Sequence, residues 1–458
     1  MEYYICFNCN LKLPFEFPLF ECPRCNSNLM ISYDIEEVKE SFTEVFKQRT
    51  GMWGFEALLP KVKNKVTLGE GGTPLVKAKG LKKRLGLKNL LIKDETRNPT
   101  SSFIDRGSSV LVSLTKEQGY EVFNVTRSGN LAASIAAYAS ITNMECYVSS
   151  AMPYDLVKVY QIIAYGGRML ENPPVDKRTY RVSPEDPALI EGYKTITFEL
   201  FQIVSHVDAI VVPIGSGSLI SSTWKALHEL REVGVLDEYP KLFGVQSEAY
   251  DPVVRAVKGL PPPRAVKNTI ASDIVFVNPP RAQDAIRAIR ETSGSAISVT
   301  DTEILKGMEL LAREEGILAE PSSAAVISGL VKLVEEGTVD ESDTVVVVVT
   351  GSGLKGVGSV MKRLFKRTRL LTTEDMARLG RTKRKILKII ASRIEAHGYE
   401  IWKLLNMDVS ISKTAVYKHI LDLEKMGLLK RKNYGRTVKY SLTPDGAILV
   451  NVLKLEEG

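Results

Sequence analysis

Long apolar runs are missing from this 458-residue chain. None approaches the roughly 20 residues that cross a bilayer, which excludes a membrane-spanning protein. The N-terminus MEYYICFNCN has no basic start followed by an apolar core, so a cytoplasmic protein is expected rather than a secreted one. Cysteine is scarce, with five residues in all, too few to staple a disulfide scaffold of this length. What is present is ordinary. With 44% hydrophobic and 25% charged residues, the composition is that of a folded protein and not of a disordered or collagenous one. The length exceeds the roughly 250–300 residues at which one core stops growing, so two or more domains are expected.

The formal charge of +7 is unevenly placed. From Lys362 to Gly458 there are 22 basic against 10 acidic residues, a net +12, while the other 361 residues carry −5. Basicity confined to one segment points to a nucleic-acid partner or to a solvated basic face.

Four of the five cysteines form two pairs, Cys6-x2-Cys9 and Cys22-x2-Cys25. Two short knuckles offering two thiolates each can close one tetrahedral zinc shell in a reducing compartment. Asn8 lies inside the first pair, and Asn follows each, which suits a tight knuckle turn. No further ligand lies nearby, so the site reads as closed and structural, a zinc ribbon over residues 1–35. Cys146, in the apolar run CYVSS, reads as a core thiol.

After Pro60 the chain alternates apolar strands with helical stretches. NLLIKDE, YEVFNV, ECYVSS, AIVVPIG, KLFGVQSE and TVVVVVTGSG read as buried strands, and LAASIAAYAS and ISSTWKALHEL as helices. An open parallel sheet follows, whose ligands sit at the carboxyl ends of the strands. Glycine-bearing turns stand at three such ends: Ser128-Gly129-Asn130, Gly215-Ser216-Gly217-Ser218 and Thr350-Gly351-Ser352-Gly353.

The motifs LGEGGTPL (68–75), KDETRNPTSSFIDRG (93–107), RSGN (127–130), EGYKT (191–195), IGSGS (214–218), EPSSAA (320–325) and TGSGLK (350–355), in this order, resemble the threonine synthase family of fold-type II pyridoxal phosphate enzymes. The likeness runs from the cysteine pairs through GMWGFEALLP (51–60) to about residue 360. It implies an α/β fold-type II scaffold of open parallel sheets over residues 36–360. It further implies that Asn130 stands beside the cofactor's phenolic oxygen, that Thr350 meets the pyridine nitrogen, and that the 215–218 turn cradles the phosphate.

One position departs from the pattern. In the family the segment matching Asn98–Gly107 carries a lysine where this chain has Ile104, and that lysine forms the Schiff base with the cofactor. Isoleucine has neither a nucleophile nor a titratable group, so the resemblance implies no catalytic residue here and pyridoxal phosphate held, if at all, without a covalent link. Lys93 and Lys194 lie in neighbouring motifs as substitute amines. Arg127 replaces a small hydroxylic residue, and its fork can grip a ligand's carboxylate or phosphate or pair with a pocket Asp or Glu. Ser101 replaces a glycine. The proline-rich stretch from Glu171 to Glu191 is shorter than in the family. The implied ligand-binding residues are Arg127, Ser128, Gly129, Asn130, Gly215, Ser216, Gly217, Ser218 and Thr350.

A basic connector, 361–382, leads to a new periodicity over 383–458. KRKILKIIASRI (383–394), EIWKLL (400–405) and KTAVYKHILDLEKM (413–426) read as helices, with Ser412 placed to cap the last. A hairpin follows with its turn at Asn433-Tyr434-Gly435. Three helices and a wing form a winged helix-turn-helix, with Lys413, Thr414, Tyr417 and Lys418 as base readers and Lys430, Arg431, Lys432 and Arg436 as wing contacts to double-stranded DNA. EAHGYEIWKLL and KYSLTPDG resemble the PadR branch of winged-helix repressors. The apolar terminal helix AILVNVLKLEE (447–457) then implies a homodimer.

Together these readings lead to the expectation of a transcription regulator. Its catalytically inactive domain would sense a small-molecule effector: an amino acid, a phosphorylated amino acid or pyridoxal phosphate. The competing expectation is a threonine synthase, or a related pyridoxal phosphate-dependent lyase, with an accessory winged-helix domain.

Overall fold

The run Thr344–Val349 offers no polar face, so as a strand it must be covered on both sides. It does lie at the centre of a six-stranded sheet. The order is Ser295–Val299, Lys241–Ser247, Ala209–Pro213, Thr344–Val349, Asn89–Asp94 and Leu75–Lys77. All neighbours are parallel except the last pair, in which Val76 faces Ile92 antiparallel. A second sheet of four parallel strands runs Arg168–Met169, Glu145–Val148, Val122–Val125 and Thr179–Val182. The structure, a computed structural model, describes residues 2–48, 51–149, 156–169, 177–356, 379–393, 395–434, 437–443, 446 and 449–450. It divides into two units, Met1–Ser359 and Val360–Gly458.

The six strands expected from their apolar runs are all present, each trimmed at its polar or glycine end. Leu75–Lys77, Arg168–Met169, Thr179–Val182 and Ser295–Val299 were not anticipated; at two to five residues they are short, although Thr179–Val182 does alternate, burying Tyr180 and Val182. In front of the larger sheet an antiparallel trio, Lys12–Pro14, Glu2–Ile5 and Met30–Tyr33, carries the cysteine pairs. Its apolar residues join the core under the Ser218–Glu232 helix, where Phe7 meets the Trp224 ring edge-on at 4.9 Å.

Two helices set the frame of the first unit. Ile104–Glu117 and Pro187–Phe201 touch backbone to backbone: a Cβ on Gly192 would lie 2.0 Å from the Arg106 carbonyl oxygen, so only glycine fits. Every residue of Pro187–Phe201 is buried, its charged side chains included. These charges are matched across the core. Arg106 Nε donates to Glu95 (2.7 Å), Arg106 Nη1 to Glu199 (2.7 Å) and Lys93 Nζ to Glu199 (2.8 Å).

Asp186 caps the Pro187–Phe201 helix, accepting from the Ala188 N–H at 2.9 Å and the Tyr180 hydroxyl at 2.5 Å. Burial pushes its carboxyl from 3.8 up to about 7. Between those values the folded chain retains a proton that the unfolded chain has released, so stability falls as pH rises. Urea unfolding should show a loss of about 2–3 kcal/mol between about pH 5 and pH 8, and Asp186→Asn should remove most of that slope.

The second unit builds its core from one face of each of three helices, Arg381–Arg393, Gly398–Asp408 and Lys413–Lys425. Ile386, Ile390, Ile401, Leu405, Val416, Ile420 and Leu423 are buried there. Strands Glu395–His397, Thr437–Leu442 and Leu429–Tyr434 pair antiparallel in that order. Ser412 caps the third helix as expected, its hydroxyl accepting from the Ala415 N–H at 3.2 Å. The hairpin turn is displaced from its expected place, because Asn433 still pairs with Val438 and Tyr434 with Thr437. The expected turn glycine Gly435 and the wing residue Arg436 lie outside the described residues, as do residues 171–176 of the proline-rich stretch, most of the 361–382 connector and all but two residues of the 447–457 helix. Among the described residues no helix is long and apolar enough to cross a membrane.

Candidate active site

Parallel strands leave their carboxyl ends on one edge of a sheet, and the helices that follow start there. In the first unit three such ends converge on a cavity of about 280 Å³. Val122–Val125 runs into Ser128, Gly129 and the Asn130–Ser140 helix. Ala209–Pro213 runs through Gly215, Ser216 and Gly217 into Ser218–Glu232, and Thr344–Val349 delivers Thr350. All nine ligand-binding positions expected from the sequence line this cavity, together with Ile104, Asp273, Phe276 and Glu320.

The 215–218 turn needs its glycines. Gly217 has φ +92°, and a Cβ there would fall 2.6 Å from the Arg281 carbonyl oxygen; one on Gly215 would fall 2.9 Å from that of Asp273. The turn's N–H groups open a buried 15-residue helix, where the helix dipole favours an anion. Ser216 and Ser218 hydroxyls lie 2.9 Å apart, and Ser218 Oγ also donates to the Pro184 carbonyl. Arg281, fully buried, fixes the turn from behind: its N–H donates to Ser216 O at 2.9 Å and its guanidinium to Leu29 O and Glu185 O.

Opposite, the Asn98–Phe103 loop is tied to the sheet by the Phe103 N–H on Thr350 O (2.9 Å) and the Ser352 N–H on Ser101 O (3.0 Å). Ser101 sits at φ +63°, left-handed backbone where glycine is the relaxed choice. Ile104, the first residue of its helix, presents an aliphatic side chain to the cavity.

Arg127 lines the cavity but forms no ion pair with a pocket Asp or Glu among the described residues. Its guanidinium donates to the backbone carbonyls of Ser272 (3.1 Å) and Val275 (3.4 Å) and lies 4.6 Å over the Phe276 ring. The physical reason is that the 272–276 segment turns backbone carbonyls to the fork, while its one carboxylate, Asp273, is paired with Lys158. The substitute amines are also accounted for. Lys93 is held by Thr73 O and Glu199, and Lys194 by Glu191 and Glu229 under the Tyr33 ring, and neither lines the cavity.

Sequence reasoning passed over the cavity's carboxylates. Asn130 Nδ2 donates to Glu320 Oε1 at 2.8 Å, which leaves Asn130 Oδ1 and Glu320 Oε2 buried without hydrogen-bond partners. Lys158 Nζ stands 3.5 Å from Glu320 Oε2 and pairs with Asp273. Burial pushes the Glu320 carboxyl above its ordinary range. Glu320 lies in the EPSSAA motif and could have been found there; Asp273 lies in an aperiodic, proline-flanked stretch that gave no signal.

In the second unit, Lys413, Thr414, Tyr417, Lys418, Lys430, Arg431 and Lys432 are exposed. Several are engaged within the unit. Lys413 Nζ lies over the Tyr399 and Trp402 rings, Arg431 pairs with Glu424 at 3.4 Å, and Lys432 with Glu395 at 2.9 Å. In the N-terminal trio the Sγ atoms of Cys6, Cys9, Cys22 and Cys25 all lie within 4.8 Å of one another.

Residues 66–351 match the family model described as pyridoxal-phosphate dependent enzyme. Threonine synthase of Methanocaldococcus jannaschii is 37% identical over 375 residues, 76% of this chain and 92% of that protein. Threonine synthase of Methanosarcina acetivorans is 34% identical, covering 78% of this chain and 93% of that protein. Among solved structures, maize serine racemase shares the fold with a TM-score of 0.53 at 21% identity, over 64% of this chain and 92% of that one. These findings overturn the expectation of a DNA-binding regulator built on an inactive sensor. The likeness to enzymes extends over most of the chain and nearly the whole of the relatives, and it favours the competing reading.

Proposed function

The chain belongs to the pyridoxal-phosphate dependent enzyme family, and from that premise we propose that it is an enzyme of the threonine synthase kind, or a related lyase, acting on a small phosphorylated amino acid. The observation that carries the reading is the identity to the two methanogen threonine synthases across nearly their whole length.

The residues present suit the cofactor's phosphate and ring. The 215–218 turn has the backbone donors and the missing Cβ atoms that a phosphate requires, and Asn130 and Thr350 stand on the cavity wall for the ring. One part is not supplied: on the match of the Asn98–Gly107 segment, the family's lysine position falls at Ile104. When bound, pyridoxal phosphate supplies an electron sink for charge developing at the α-carbon of an amino acid. The chain does the rest. Backbone N–H groups of the turn would hold the cofactor's phosphate, and Asn130 and Thr350 would orient its ring, beside the Phe276 ring with the Arg127 guanidinium over it. Glu320, its carboxyl raised by burial above the ordinary range, stands beside Asn130 on the cavity wall. The test is release of threonine and inorganic phosphate from O-phosphohomoserine by protein supplied with the cofactor. Release supports the reading; no release of either product with the cofactor bound overturns the threonine synthase assignment.

We read the four cysteines as a structural zinc site, supported by their mutual approach, with Sγ pairs at 3.4 Å (Cys6, Cys25) and 3.5 Å (Cys9, Cys22). Cys22→Ser should reduce bound zinc from about one per chain to near none, measured by plasma mass spectrometry, and should lower the thermal midpoint. The three helices and hairpin of the second unit support reading it as a winged-helix module accessory to the enzyme.

A further inference from the structure

The second cysteine knuckle and the 215–218 turn share one support. Around Cys22 and Cys25 the chain doubles back, closed by the Cys22 N–H on Ser27 O (2.8 Å), the Asn26 N–H on Cys22 O (2.9 Å) and the Leu29 N–H on Phe20 O (2.8 Å). The residues leaving this knuckle reach far along the chain. Asn28 Nδ2 donates to Pro280 O at 2.7 Å, and Leu29 O accepts from Arg281 Nη2 at 2.9 Å, each across 252 positions. Arg281 is fully buried, its guanidinium also held by Glu185 O and by Asp284 at 2.8 Å. Its backbone braces the turn: the N–H donates to Ser216 O at 2.9 Å, and the carbonyl oxygen would lie 2.6 Å from a Cβ on Gly217. The first knuckle meets the same element by another route, since Phe7 packs edge-on against Trp224 of the helix that the turn opens.

Four thiolates on one ion clamp both knuckles at once, which fixes Asn28 and Leu29 in place. With the clamp released, the knuckle is a short loop that can open locally, and Arg281 and the turn lose their brace while the sheet stands. We propose that the cysteine quartet governs the grip of the 215–218 turn on phosphate, with Arg281 the positioning residue that links the two. The proposal rests on the quartet holding zinc and on the turn holding phosphate, and adds the coupling between them.

The test is calorimetric titration of the full-length protein with pyridoxine 5′-phosphate, which carries ring and phosphate but no aldehyde. Titrations are made with zinc bound, after chelation under reducing conditions, and after zinc is restored. Chelation should weaken binding at least about tenfold and restored zinc should recover it, with far-ultraviolet circular dichroism unchanged. Coupling is reciprocal, so saturating pyridoxine 5′-phosphate should tighten zinc binding by the same factor, measured in competition with a chromogenic chelator. Arg281→Lys keeps the charge and the backbone bond to Ser216, but an ammonium cannot serve Leu29, Glu185 and Asp284 together. With zinc bound it should already bind the ligand weakly, and chelation should weaken it further by less than about twofold. Asn28→Ala, which removes one bond at a half-buried residue, should fall between and carries the test should Arg281→Lys fail to fold. An affinity indifferent to zinc, an equal loss in the unaltered protein and in Arg281→Lys, or a loss that comes with unfolding overturns the coupling and leaves both sites standing. Failure to take up zinc removes the metal site, and no binding of pyridoxine 5′-phosphate in any state removes the phosphate cradle; either result removes the coupling with it.

Discussion

Arg106→Ala will destabilise the first unit by about 3–5 kcal/mol, read from urea unfolding followed by circular dichroism. The guanidinium is fully buried, with Nε and Nη2 on Glu95, Nη1 and Nη2 on Glu199, and further bonds to Thr73 and Thr195. With Lys93 it balances two carboxylates in a site that water does not reach. Removing one cation leaves a net buried negative charge, which costs far more than an exposed pair would. Burial works to raise the Glu199 carboxyl, yet the charges of Arg106 and Lys93 hold it at about 2. A carboxylate held below its ordinary value stabilises the fold above that value and ceases to do so as pH falls through the lowered one. The deficit of Arg106→Ala should therefore be largest near neutral pH and should shrink in acid, where Glu199 of the variant takes up a proton. Arg106→Lys should fall between, since an ammonium cannot bridge both carboxylates as the fork does.

Ile104→Lys should convert a protein with no covalent capture of pyridoxal phosphate at this position into one that captures it stoichiometrically. Borohydride reduction and peptide mapping provide the readout. Position 104 opens its helix on the wall of the cavity that Asn130 and Glu320 also line. A carboxylate in the same cavity offsets part of the cost of placing an ammonium in largely apolar surroundings. Ile104→Met, of similar bulk and without an amine, is the control. A properly folded Ile104→Lys protein with no adduct at position 104 would mean that the family's lysine position lies elsewhere in this chain.

The sequence was legible where one residue type had one reason to be there. Thr344–Val349 could only be a buried strand, and Gly217 could only mark a turn that no side chain permits. The paired cysteines converge as their spacing implies. Legibility failed where meaning depends on distant partners. Glu199 stands about a hundred positions from Lys93, Glu95 and Arg106, and no local pattern shows that the four meet in one buried cluster. Arg127 invited a search for an anionic partner, and the fold supplied two carbonyls and a ring instead. Asp273 reaches the cavity from a segment without periodicity, so no local pattern marked it. In the second unit, helix caps are local, and Ser412 was readable; hairpin register is set by pairing, and the turn was misplaced.

The backbone contact between the two framing helices also bears on how this chain can diverge from its relatives. Gly107 and Gly192 admit no methyl group, the first because of the Tyr193 ring at 2.5 Å and the second because of the Arg106 carbonyl. Selection on folding therefore falls on these glycines, and on the charges beside them, whatever the cavity does. Ile104 lies one helical turn away on the cavity side, outside that contact. A lineage can exchange the residue at 104, lose or regain a reactive group, and inherit the scaffold intact. Chemistry and architecture in this fold are separately heritable, although a single turn of helix carries them both.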